Sequence, residues 1–168
     1  MTLPLRPKHG GFLRPFGCGW FIKEFLLGNG PYGSPLVEPE FGAPQADIFY
    51  QYKQALRRVT AEDKALRQEE KDAKTEKRLI NPDNIEILAG EYLERLPYKS
   101  RGCRYHSFVT YFSTLQKLGW VEPSGVVEAS AFQANYPQGK PRIYIRLTQT
   151  GKSIPDYLWA NPRKALYG

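Results

Sequence analysis

The sequence predicts a mainly α-helical protein with one small antiparallel β-hairpin. Apolar residues recur at helical spacing over 48–59, 84–96 and 104–118. Two later stretches, 126–132 and 142–148, alternate with period two instead. Fifteen Gly and fourteen Pro punctuate the connections, while eleven Tyr, nine Phe and three Trp supply material for a core. A chain of 168 residues accommodates one domain, or one domain with a substantial extension.

The first nineteen residues, MTLPLRPKHGGFLRPFGCG, set Arg6, Lys8, His9 and Arg14 among Pro and Gly and read as an extended arm. It is either a basic tail for a groove or a strap over Phe12, Leu13 and Phe16. The run WFIKEFLL, 20–27, predicts a short buried helix, stopped by the GNG at 28–30. PYGSPLVEPEFGAPQAD, 31–47, holds four prolines and reads as a long connection that ends on Asp47 as a helix N-cap.

Ile48, Phe49, Tyr52, Leu56 and Val59 then form one helical stripe. Its continuation, 60–78, carries six acids and six bases with almost no apolar stripe. That composition predicts a solvated helix or a partly disordered linker. Leu66 alone cannot make a coiled-coil seam. NPDNIEILAGEYLERLP follows, with Asp83 or Asn84 as cap and Ile85, Leu88, Tyr92 and Leu96 on one face, ended by Pro97. After the turn YKSRGC come the third periodic stretch and the two strands, joined by QANYPQGKP. A last helix is expected to begin at Ser153, with 161–168 as a tail.

The expected organisation is therefore an arm, short helix and connection over 1–47; a long helix with a charged extension over 48–80; a C-terminal module over 82–160; and a tail. Residues 48–78 are the natural contact for a homodimer or a partner protein. No segment approaches the roughly 18 apolar residues of a membrane span, and no secretory signal is visible. Cys18 and Cys103 cannot make a disulfide framework, so a reducing, cytoplasmic setting is expected.

The net charge of +7 is unevenly placed. Residues 1–96 carry fourteen bases and fourteen acids, whereas 97–168 carry ten bases against Glu122, Glu128 and Asp156. A one-sided basic balance is the footprint of a surface that meets a polyanion.

The helix of 104–118 repeats that asymmetry on a smaller scale. At about 100° per residue, Tyr105, Phe108, Phe112 and Leu115 share one side, with Tyr111 and Leu118 at its margin. His106, Thr110, Ser113 and Lys117 lie opposite, flanked by Cys103, Ser107 and Thr114. This second face is polar, rich in hydrogen-bond donors and free of acids. A helix placed in a DNA major groove must avoid carboxylates near phosphates and offer donors and methyls to base edges.

The phrases LQKLGWVEP, 115–123, and RIYIRLTQTGK, 142–152, resemble the winged helix-turn-helix superfamily, in the manner of PadR-like and MarR-like regulators. In those families a recognition helix ends in a similar Leu-x-x-x-Gly-hydrophobic-Val/Ile-Glu run, and the second wing strand in Tyr-x-Leu-Thr-x-x-Gly-Lys/Arg. The resemblance covers about residues 82–155. It implies a winged helix-turn-helix with an N-terminal helical extension, binding double-stranded DNA as a transcriptional regulator or the DNA-binding subunit of an assembly. On that reading Lys99, Arg101, Arg104, Lys117, Lys140 and Arg142 neutralise phosphates, Arg146 extends their line, and His106, Ser107, Thr110 and Ser113 face base edges. The turn PYKSRGC departs from the compact small-residue turn of those families. The alternatives are a winged-helix protein-assembly subunit and an RNA-binding protein.

Catalysis and cofactors are not expected. GNGPYG, 28–33, fits neither a phosphate-binding loop nor a dinucleotide fingerprint, and neither histidine has a nucleophile and orienting acid at a recognisable spacing. His9, Cys18, Cys103 and His106 lack the two tight pairs of a zinc site.

Overall fold

The computed structural model of the protein describes residues 16–96, 105–129 and 141–167. Those residues form helices α1 (Cys18–Leu26), α2 (Gln45–Glu76), α3 (Pro82–Arg95), α4 (Tyr105–Leu118), α5 (Gln149–Ser153), α6 (Asp156–Trp159) and α7 (Pro162–Tyr167), with strands β1 (Ala43–Pro44), β2 (Val121–Ala129) and β3 (Pro141–Leu147). The chain is thus mainly helical with a small antiparallel sheet, ordered β1-β3-β2.

The described residues divide into two compact units, one holding 17–52 with 105–167 and the other holding Phe16 with 53–96. In the first, α1 buries Cys18, Phe21, Ile22, Phe25 and Leu26, and the opening turns of α2 bury Ile48 and Tyr52. Phe21 meets Phe25 and Tyr52 with ring centroids 5.6 and 5.4 Å apart. Phe49 lies 5.1 Å from both Tyr105 and Phe108, so the start of α2 packs on α4. Lys23 is nearly buried at the foot of α1, where its ammonium donates to the Ile154 carbonyl at 2.9 Å and to Asp156 at 2.7 Å.

The hairpin pairs Val121 with Leu147 and Pro123 with Ile145 before the register shifts, so that Val127 faces Ile143. Pro123 has no N–H for the ladder, and Ser124-Gly125-Val126 stand against the single residue Tyr144, an irregularity with two extra residues on β2. This hides the early half of β2 from any alternation test, which explains why the sequence reading begins the strand at 126. β1 was not expected at all. Ala43 and Pro44 pair with Ile145 and Tyr144, but two residues are too few to carry a period.

The second unit is a helical hairpin. Arg57 of α2 donates to the carbonyls of Leu93 and Leu96, each at 3.1 Å, and so satisfies the exposed end of α3. At the other end, Asn81 caps α3 by accepting from the Asp83 N–H at 3.0 Å, two and three positions before the expected caps Asp83 and Asn84. The charged extension is neither a linker nor wholly solvated. It is helical to Glu76 and buries Ala61, Ala65, Glu69 and Ala73 along one side. Alanine is too weak an apolar signal to be counted as a stripe.

Two further expectations need revision. The helix that precedes and packs on α4 in its compact unit is the start of α2; α3, expected in that role, belongs to the other unit. The final helix does not begin at Ser153, which ends α5; the chain makes two short helices after it, and the supposed tail forms α7, which packs on α4. No helix among the described residues is long and apolar enough to cross a membrane.

Candidate functional site

The two sequence phrases around α4 and β3 meet in space as one joint. α4 ends in a left-handed cap at Gly119, whose φ is +74°. Its N–H donates to the Gln116 carbonyl at 3.0 Å, and the Trp120 N–H donates to the Leu115 carbonyl at 3.1 Å. Those two bonds are a Schellman cap, and a residue with a Cβ would be strained at its centre. Thr148 then ties β3 to this cap. Its N–H donates to the Trp120 carbonyl at 3.0 Å, its hydroxyl donates to the Gly119 carbonyl, and the same oxygen accepts from the Gly151 N–H at 2.9 Å as the N-cap of α5. Gly151 sits so close under the Trp120 carbonyl that a Cβ would collide with it. Trp120 in turn packs on Trp159 at 4.9 Å, and Trp159 donates its indole N–H to the Gly151 carbonyl at 3.2 Å.

The joint holds α4 with Phe108, Phe112 and Leu115 fully buried. Ser107, Val109, Thr110, Gln116 and Lys117 are exposed and Ser113 is half-buried, and α4 has no acidic residue. Val109, Ser113, Gln116 and Lys117 fall at i, i+4, i+7 and i+8, one continuous stripe. Val109 and Gln116 were not among the expected contacts. A wheel that asks only which residues are polar passes over a valine, and Gln116 sits near the edge of the apolar side. Thr114, expected on the polar face, is buried and donates to the Thr110 carbonyl at 3.3 Å. Tyr105, expected in the core, is half exposed with one ring edge on Phe49.

The expected cations divide sharply. Lys117 is exposed and has no carboxylate partner among the described residues. Arg142 is folded inward onto Asp47, with 13% of its side chain accessible. Arg146 lies between the Glu122 carboxylate and the Glu40 carbonyl, each at 3.2 Å. Neither arginine is the open phosphate contact the sequence reading made it. The cause is the sheet: pairing Ala43–Pro44 with β3 brings Asp47 onto Arg142 and the Glu40 carbonyl to Arg146, while the β2–β3 register sets Glu122 opposite Arg146. Lys99, Arg101, Arg104 and Lys140 lie outside the described residues, as does the side chain of His106. Outward bases not foreseen are Lys152 of α5 and Arg163 and Lys164 of α7, which packs on α4.

The excess charge has a sharper location than the C-terminal half. The described residues carry equal numbers of bases and acids, and the whole +7 comes from segments 1–15, 97–104 and 130–140, with seven Lys/Arg and no acid. Two of those segments adjoin α4 and join β2 to β3 in sequence.

Among the described residues no cluster of three or more His, Cys, Asp or Glu could hold a metal ion, and Cys18 is buried. Compared with family models, curated proteins and solved structures, the chain matches none.

Proposed function

We propose that this protein binds double-stranded DNA through the outward stripe of α4, in a winged-helix arrangement whose first helices are α1 and the opening of α2. The observation that carries the reading is an exposed helix face without a single acid. It is held rigidly by the Gly119–Thr148 joint in a unit whose elements run helix, short strand, helix, helix, strand, strand, with strand order β1-β3-β2. That order of connections is the one a winged helix uses. Residues 53–96 then stand as an insertion between its second and third helices.

On this reading Thr110, Ser113 and Gln116 supply donors and acceptors to base edges, and Val109 and the Thr110 methyl supply apolar contact to thymine. Lys117 meets a phosphate. The basic, acid-free sequences at 97–104 and 130–140, which precede α4 and join β2 to β3 along the chain, supply further phosphate contacts on this reading, through Lys99, Arg101, Arg104 and Lys140. Arg142 and Arg146 are reassigned to holding β3 against β1 and β2.

A second reading, a protein-assembly surface, is favoured by one feature. Val127 and Ile143 are directly paired across the hairpin and both are more than half exposed. Anisotropy of a labelled random duplex across a salt series separates the two. Affinity that falls steeply with salt, and exceeds that for a single strand or a structured RNA, supports duplex binding. Absence of duplex binding at low salt transfers the assignment to assembly.

A further inference from the structure

The charged half of α2 looks balanced in sequence, but the fold sorts its charges by face. Lys64, Arg67, Lys71 and Lys74 are all exposed and follow one another at i, i+3, i+7 and i+10, an arc about 80° wide at 100° per residue. Asp63 and Glu70 border the arc, and the other acids turn elsewhere. Glu69 is buried against Arg78, Asp72 accepts from Gln68, and Glu62 and Asp63 are half-buried. Asp63 reaches Arg67 at 3.4 Å, while Lys64, Lys71 and Lys74 have no carboxylate partner among the described residues. Glu70 and Glu76 are the exposed acids of this half; Glu76 is bonded to Arg78, and Glu70 lies at the margin of the arc.

A merely solvated helix face pairs opposite charges at i, i+4. Here the Asp63–Arg67 bridge is one such pair at the edge of the stripe, but along the stripe itself Lys64 stands beside Arg67, Arg67 beside Lys71 and Lys71 beside Lys74, neighbours that each weaken a helix by about 0.2–0.5 kcal/mol. The helix dipole accounts for bases in the last turn, such as Lys74. It does not account for Lys64 and Arg67 two turns or more earlier.

We infer that the Lys64–Arg67–Lys71–Lys74 stripe is a second contact surface for duplex DNA, one that tracks the phosphate backbone without reading bases. The inference rests on the duplex-binding reading and adds to it a site on the other compact unit. The four bases span about 15 Å of helix. A duplex offers roughly nine phosphate charges over that length, so each base finds a partner. An anionic membrane fits less well. The residues beside the stripe are Asp63 and Glu70 on one side and Gln68 and Thr75 on the other, none of them apolar, and a helix lying in a bilayer interface needs an apolar face.

The test compares wild type with a K64Q/R67Q/K71Q/K74Q variant on a random 25-base-pair duplex between about 50 and 200 mM salt, with helicity and melting temperature checked in parallel. The expected result is a slope of log affinity against log salt shallower by about 3 to 4, and a loss of affinity equal for all duplex sequences. The charge-retaining K64R/K71R/K74R variant should bind as wild type does. A K64Q/K71Q double variant, expected to lose about 2 from the slope, serves if the quadruple variant does not fold. Undiminished slope in a folded quadruple or double variant overturns the inference and leaves the α4 reading standing. No duplex binding by wild type removes both. Vesicles of phosphatidylserine and phosphatidylcholine form the third arm: loss of vesicle binding with duplex binding intact also overturns it.

Discussion

Thr148 donates its backbone N–H to the carbonyl of Trp120 at 3.0 Å, and through that bond the end of β3 is locked to the end of α4. The side chain of the same threonine bonds Gly119 and Gly151, so one residue serves the helix cap, the strand end and the next helix start. Anything that binds on α4 therefore depends on this contact for its orientation.

Thr148→Ala removes an N-cap and the hydroxyl that satisfies Gly119. A loss of about 1–2 kcal/mol is expected in chemical denaturation. Thr148→Ser, which keeps the hydroxyl, should recover most of it. Equal loss in both variants would place the effect in the methyl group and not in the cap.

Gly151→Ala should be worse tolerated than its small size suggests, because the new methyl meets the Trp120 carbonyl, a backbone atom that cannot rotate away. A cost of about 1–3 kcal/mol is expected, with altered tryptophan fluorescence from the Trp120–Trp159 pair.

Glu69 should make the helical hairpin acid-sensitive. Hydrogen bonds from Arg78 first, and then from the Asn81 N–H, hold its carboxyl down at about 2, against an ordinary value of 4.5. A carboxyl lowered in the folded state stabilises fully above its unfolded value, and that contribution disappears as pH falls from about 4.5 through about 2. Melting followed by helical circular dichroism should show a steep decline across that window. In Glu69→Gln the molecule starts less stable at neutral pH, and the decline should be shallower. An unchanged acid slope would show that other carboxylates dominate it.

Arg142 and Lys117 should behave oppositely. Arg142→Gln breaks a half-buried pair with Asp47, and about 1–2 kcal/mol of stability should be lost while the duplex salt slope is kept. Lys117→Gln should leave stability unchanged within about 0.5 kcal/mol and lower the salt slope by about 0.9. Both can be measured on the same preparations used for anisotropy.

Much of the architecture was readable along the chain because it rests on local rules. The stripe of Phe108, Phe112 and Leu115 marks a helix by its period, and Gly119 marks its end because a left-handed cap asks for glycine. The acid-free face of α4 was legible for the same reason, since neighbours on a helix are separated by fixed intervals. α7 and the alanine side of α2 were not, as neither carries a strong period.

By itself, then, the sequence determined the helices of regular period, the hairpin strands, the helix-ending glycine and the polar face on α4, all properties of residues within a few positions of one another. Only the tertiary structure decided which charges remain available. Pairing of Ala43–Pro44 with β3 brought Asp47, 95 positions away, onto Arg142. The closing of the α2–α3 hairpin drew Glu69 inward to Arg78 and Asn81, leaving Lys64, Arg67, Lys71 and Lys74 of α2 outside. Charge pairing depends on distance through space, and no count along the chain contains that distance.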